Sequence, residues 1–94
     1  MPEIAVKLRI HGKVQGVWYR DWTVQAANAL GVHGWVRNRT DGTVEALVVG
    51  EEAAVRSLIA QCHQGSPASH VERIDETPAQ GIVPRDGFVR KPTV

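Results

Sequence analysis

The chain has 94 residues, of which 43% are apolar and 22% charged, and eleven Lys and Arg against ten Asp and Glu give a formal charge of +1. This length fits a single domain, residues 1–94, with one core, and the composition excludes a disordered or collagen-like chain. The near-neutral charge argues against the broad basic footprint of a nucleic-acid binder, so any bound anion must be held locally.

In chain order, Ile4, Val6, Leu8 and Ile10 alternate with Ala5, Lys7 and Arg9, the period of a strand with one buried face. The loop GKVQGV follows. Tyr19, Trp22, Ala26, Ala29 and Leu30 then recur at spacings of three and four, which predicts a helix stopped by Gly31. Two β-rich runs, HGWVRN and TVEALVVG, flank Arg39, Thr40, Asp41 and Gly42, where the Asp-Gly pair predicts a tight hairpin turn. Glu51 and Glu52 open a second helix at its positive end, with Val55, Leu58, Ile59 and Cys62 along one side and Gly65 at its close. A strand is expected from His70 to Ile74, where Val71 and Ile74 fall out of period as if flanking a bulge. Thr77 to Gly87 reads as loop, and Phe88 to Arg90 as a short last strand. The order βαββαβ predicts an α+β, ferredoxin-like sandwich: an antiparallel sheet of four to five strands with two helices on one face. That plan hosts many activities, so function must come from the site.

A strand that passes through a glycine loop into a helix leaves backbone N–H groups without intrahelical partners, and they can converge on an anion. Gly12 and Gly16 let the main chain approach closely, and Arg20 adds a planar, permanently charged guanidinium that matches phosphate oxygens. Neither GxxxxGK[ST] nor GxGxxG is present, so a small phosphate group fits better than a nucleotide. Such loops are common, however, and an arginine at a helix start is more often a solvated surface residue. Trp18, Tyr19 and Trp22 read as packing residues that pin the loop. Asn38, just before the turn, is either turn chemistry or a side chain whose donor and acceptor fix a water molecule.

The runs GKVQGVWYR at 12–20 and GVHGWVRN at 31–38, the Asp-Gly turn and VEALVVG, in this order, resemble the acylphosphatase family. The resemblance implies a ferredoxin-like enzyme that hydrolyses acyl phosphates, the mixed anhydrides of a carboxylic acid and phosphate, with no metal and no cofactor. It implies that Arg20 holds the phosphate, that Asn38 positions the attacking water, and that the backbone amides of Gln15, Gly16, Val17, Trp18, Tyr19 and Arg20 complete the cradle. The partners so implied are a small-molecule acyl phosphate and inorganic phosphate, as product and inhibitor. The chain departs from the family's common pattern at Trp18 and Tyr19, and its tail, Lys91 to Val94, lacks the aromatic residue many members carry there.

Other chemistry-bearing residues read as structural. His11, His33, His63 and His70 lack the i, i+3 or i+4 spacing of a zinc site. Cys62, the single cysteine, lies on the apolar stripe of the second helix, gives no disulfide or CxxC pair, and fits a reducing cytoplasm. Asp41 and Thr40 fit turn roles. With no secretory h-region and no apolar run of membrane-spanning length, a cytoplasmic monomer without membrane or nucleic-acid partners is expected. Two competing readings stand beside the hydrolase. One is an anion-binding module without turnover. The other is an RNA binder of the same element order, against which the absence of stacking aromatics on the first and third strands argues.

Overall fold

Alternation in β1 (Glu3–Lys13) sends Val6, Leu8 and Ile10 to a buried face and Lys7, Arg9 and His11 to the other. The computed structural model describes residues 3–79 and 87–94. After β1 come α1 (Tyr19–Leu30), β2 (His33–Asn38), β3 (Val44–Glu51), α2 (Glu52–Gln64), β4 (His70–Pro78) and β5 (Phe88–Arg90). The five strands form one sheet in the order β4-β1-β3-β2-β5. Val36 from β2 and Val44, Ala46 and Val48 from β3 join the buried face of β1, and against it pack Tyr19 and Ala27 of α1 and Val55, Leu58, Ile59 and Cys62 of α2. Both helices therefore cover one face, as the ferredoxin-like plan requires.

One expectation is corrected: the sheet is mixed, not purely antiparallel. β1 pairs antiparallel with β3 and β4, and β2 antiparallel with β3, but β5 lies parallel to β2. The reason is topological. β1 and β2 point the same way, β4 points the opposite way, and β5 runs opposite to β4, in the direction of β2. Asn28 fixes that edge, donating through Nδ2 to the Phe88 carbonyl and accepting from the Phe88 N–H through Oδ1. Beyond β5 the tail continues along β2, with N–H bonds from Lys91 to Val36 O and from Val94 to Asn38 O.

The helices differ in how well their period was readable. In α2 the four expected residues are the buried ones. In α1 the fully buried line is Tyr19, Thr23 and Ala27; Trp22, Ala26 and Leu30 are half-buried, and the expected Ala29 is exposed. Thr23 can sit there because its hydroxyl donates to Tyr19 O at 2.7 Å. Gly31 caps α1 in the left-handed conformation, and Val32 N–H returns to Ala27 O at 2.9 Å. Glu51 ends β3 and caps α2 instead of entering it.

β4 runs past the expected Ile74, so Thr77 and Pro78 belong to a strand, at the sheet edge where proline is tolerated. The rest of the expected 77–87 loop lies, from 80 to 86, outside the described residues. The bulge is present. His11 pairs with Arg73 and Gly12 with Val71, which leaves Glu72 over and lets both Val71 and Ile74 pack against the core. Gly12, with φ 128, is required there, because a Cβ would run into the His70 carbonyl.

Candidate active site

Between β1 and α1 the chain changes hand twice. Gly16 (φ 72) and Trp18 (φ 64) have positive φ while Val17 between them does not, and alternation of this kind turns successive N–H groups towards one side. Val14 and Val17 are buried and anchor the loop from below. Ser66 donates to Val17 O at 2.8 Å, and since the peptide is trans, the Trp18 N–H points the opposite way. Among the described residues, no amide from Gln15 to Arg20 is spent as donor on another backbone or side-chain group. The Gln15 side chain turns aside and donates through Nε2 to Arg39 O and Thr43 O, both at 2.8 Å, tying the loop to the β2–β3 connection.

Tyr19 starts α1 and is buried, its hydroxyl donating to Cys62 O at 2.8 Å and its ring 5.6 Å from that of Trp22. Burial pushes the Tyr19 pKa upward and lifts that of the Cys62 thiol to about 11, so both stay protonated near neutral pH. Tyr19 and Trp22 thus pack as expected. Trp18 does not: it is 78% exposed and cannot pin the loop.

Arg20 and Asn38 line one cleft of about 300 Å³, together with Val14, Gly16, Trp18, Tyr19, Asp21 and Arg90. Gln15 and Val17 are not part of that lining. Arg20 donates through Nη1 to Lys91 O at 3.3 Å, a long bond that aims the guanidinium without using its remaining donors. Asn38 ends β2, and its Oδ1 is the buried side-chain atom that lacks a hydrogen-bond partner among the described residues. Such an acceptor normally binds a donor, and water is one. Arg90 and Asp21 complete the wall as an ion pair at 3.0 Å. Asp21 is signalled only as the acidic residue of the first helical turn, and Arg90 by no local pattern, since the parallel β5 brings it there.

The β2–β3 connection is a five-residue loop, 39–43, one residue longer than the four read between the two runs. Arg39 N–H donates to Thr43 O at 2.8 Å, and Gly42 N–H to Arg39 O at 3.1 Å. Asp41 accepts from the hydroxyl and N–H of Thr43, bonds that hold its pKa below the ordinary value, so it is a turn residue as read. Thr40 is exposed and its N–H donates to Val94 O. Among the described residues no three of His, Cys, Asp or Glu cluster as a metal site would require, and no helix is long and apolar enough to cross a membrane.

Comparison with known proteins bears on the family and the fold of the chain. The acylphosphatase family model matches residues 6–89. An acylphosphatase of Rhizorhabdus wittichii is 53% identical over 97% of this chain and 91% of its own length, and one of Rhodospirillum rubrum is 52% identical over 93% and 94%. The crystal structure of acylphosphatase from Bacillus subtilis superimposes with a TM-score of 0.89 at 33% identity, covering 94% of this chain and 98% of that one. The chain belongs to the acylphosphatase family of enzymes.

Proposed function

We propose that the protein hydrolyses acyl phosphates without a metal, with Arg20 and the amides from Gln15 to Arg20 binding the phosphoryl group and Asn38 orienting the attacking water. The observation that carries this reading is the meeting, in one cleft, of the permanently charged Arg20, of Gly16, Trp18 and Tyr19, whose amides are unspent among the described residues, and of the Asn38 Oδ1 that lacks a partner among them. Phosphoryl transfer asks mainly for positioning and for charge stabilisation over the phosphoryl oxygens, which arginine and N–H donors supply. Water adds to phosphorus as the bond from phosphorus to the bridging oxygen breaks, and the carboxylate departs as a stable anion that needs no acid to protonate it. The proton of the water ends on the phosphate product or in solvent. Inorganic phosphate, sharing the cradle, competes with substrate. The reading involves one chain and a small molecule.

The test is turnover of benzoyl phosphate in EDTA by wild type, Arg20→Gln and Asn38→Ala, with folding checked by circular dichroism. Each substitution should lower kcat/KM by roughly a hundredfold or more, the usual effect of removing one charge-stabilising or positioning group. Arg20→Gln should also lose inhibition by phosphate, whereas Asn38→Ala should keep it. Folded variants with wild-type rates would sink the assignment, and phosphate binding without turnover by wild type would make the protein an anion-binding module instead.

A further inference from the structure

We propose that Trp18 is the acyl-group contact of this cleft and gives the enzyme a preference for acyl phosphates with a planar, apolar acyl portion, aromatic ones above all; this rests on the phosphate assignment to the same cleft. Three local rules fail together at this residue. It is 78% exposed, more than any other large apolar side chain among the described residues. Among those residues it alone, glycines aside, has positive φ, a conformation disfavoured for a side chain with a Cβ and most of all for a bulky one. It also occupies the N-cap of α1 without a side-chain cap bond, where Ser, Thr, Asp or Asn would satisfy an open amide.

Glycine or asparagine would suit that backbone, and any polar residue would suit that exposure, so local folding gains nothing from an indole. Broken local rules gathered at a site lining point to function. Loop anchoring does not account for Trp18 either, because buried Val14, Val17 and Tyr19 perform it. An acyl group is joined to a seated phosphoryl group through one bridging oxygen, so it starts within reach of the cleft wall that Trp18 shares with Arg20. On that wall Val14 and Tyr19 are 1% exposed and Arg90 is paired with Asp21, which leaves Trp18, among the described residues, as the open apolar side chain. Ring stacking against an aromatic acyl group then favours it over a small aliphatic one.

The experiment measures kcat/KM for benzoyl phosphate and acetyl phosphate with wild type, Trp18→Ala and Trp18→Phe. The ratio of the two values, compared between variants, removes the difference in intrinsic reactivity. Trp18→Ala should lower the benzoyl-to-acetyl ratio about fivefold or more, mostly through KM for benzoyl phosphate, over and above any common loss on both substrates from disturbing the cradle amide of this residue. Trp18→Phe should restore most of the ratio. A Trp18→Ala ratio equal to wild type, with both substrates turned over, overturns this inference and leaves the hydrolase reading standing. Equal losses on both substrates make Trp18 a structural residue and also overturn it. Failure of wild type to turn over either substrate overturns the hydrolase reading and this inference with it.

Discussion

The side chain of Gln15 joins two parts of the site that the fold otherwise holds separately. Its Nε2 donates to Arg39 O and Thr43 O, in the loop that follows Asn38, while its own backbone belongs to the proposed cradle. Replacing it with methionine keeps length and flexibility and removes both donors. Each part-buried bond is worth about 1 kcal/mol net, and the freed carbonyls regain some water, so Gln15→Met should cost at most about 2 kcal/mol. For a domain of this size that lowers Tm by roughly 10 °C. Gln15→Glu should cost more at neutral pH, because a carboxylate would face two carbonyl oxygens. Those oxygens disfavour the charged form and raise its pKa in the folded state, so part of the loss should return in acid, where protonation restores one O–H donor. Thermal melts followed by circular dichroism measure both effects. In kinetics, a loosened link between cradle and Asn38 should lower kcat for benzoyl phosphate roughly tenfold, while phosphate inhibition, which needs only the cradle and Arg20, changes little. A Gln15→Met variant with the melting point and kcat of wild type would refute the coupling. Loss of phosphate affinity in step with kcat would mean that the clamp shapes the cradle itself.

On the open face of the sheet, Glu45 is buried among Lys7, Arg9, Arg37 and Arg39, with Arg37 Nη2 at 2.7 Å and Lys7 Nζ at 3.3 Å. Glu45→Gln strips the counter-charge from four cations that remain partly solvated, and urea unfolding should show a loss of about 2 kcal/mol at pH 7, less than for a fully buried pair. Burial raises the Glu45 pKa, but the bonds and charges of Arg37 and Lys7 outweigh it and hold the value below the ordinary 4.5. The stabilisation is therefore complete above the unfolded value and fades as pH falls through the lower folded one, so wild type and Glu45→Gln should converge in stability once the pH lies below that folded value. Tyr19→Phe removes the donor to Cys62 O and should cost about 1 kcal/mol in the same assay. Gly34→Ala would drive a Cβ into the Leu47 carbonyl at φ 132 and should lower stability by roughly 3 kcal/mol or more, read as loss of soluble folded protein.

How much of this was legible in the sequence depends on how local each feature is. Arg20 stands inside the glycine loop's own run and Asn38 between a strand and a turn whose pattern is plain, so local pattern marked both as candidates, while only the family resemblance gave them roles. Trp18 lies just ahead of the helix, outside the periodic stripe that begins at Tyr19; its hydrophobicity predicted burial, and only the backbone conformation reveals its exposure. Gln15 carried a backbone role in the sequence, whereas its side-chain bonds span 24 and 28 residues and need the folded sheet. Arg90 reaches the cleft only because β5 adds to β2 in parallel, a consequence of strand count and reversal that no local run encodes. The loop itself illustrates the division. Glycine and a left-handed residue can open it, and among the described residues its backbone amides stay unspent while its other groups are engaged: Val17 O by Ser66, the Gln15 side chain by the far hairpin, the Tyr19 hydroxyl by α2. An anion site on a loop is thus as much a matter of which groups the core has already satisfied as of which groups the motif presents.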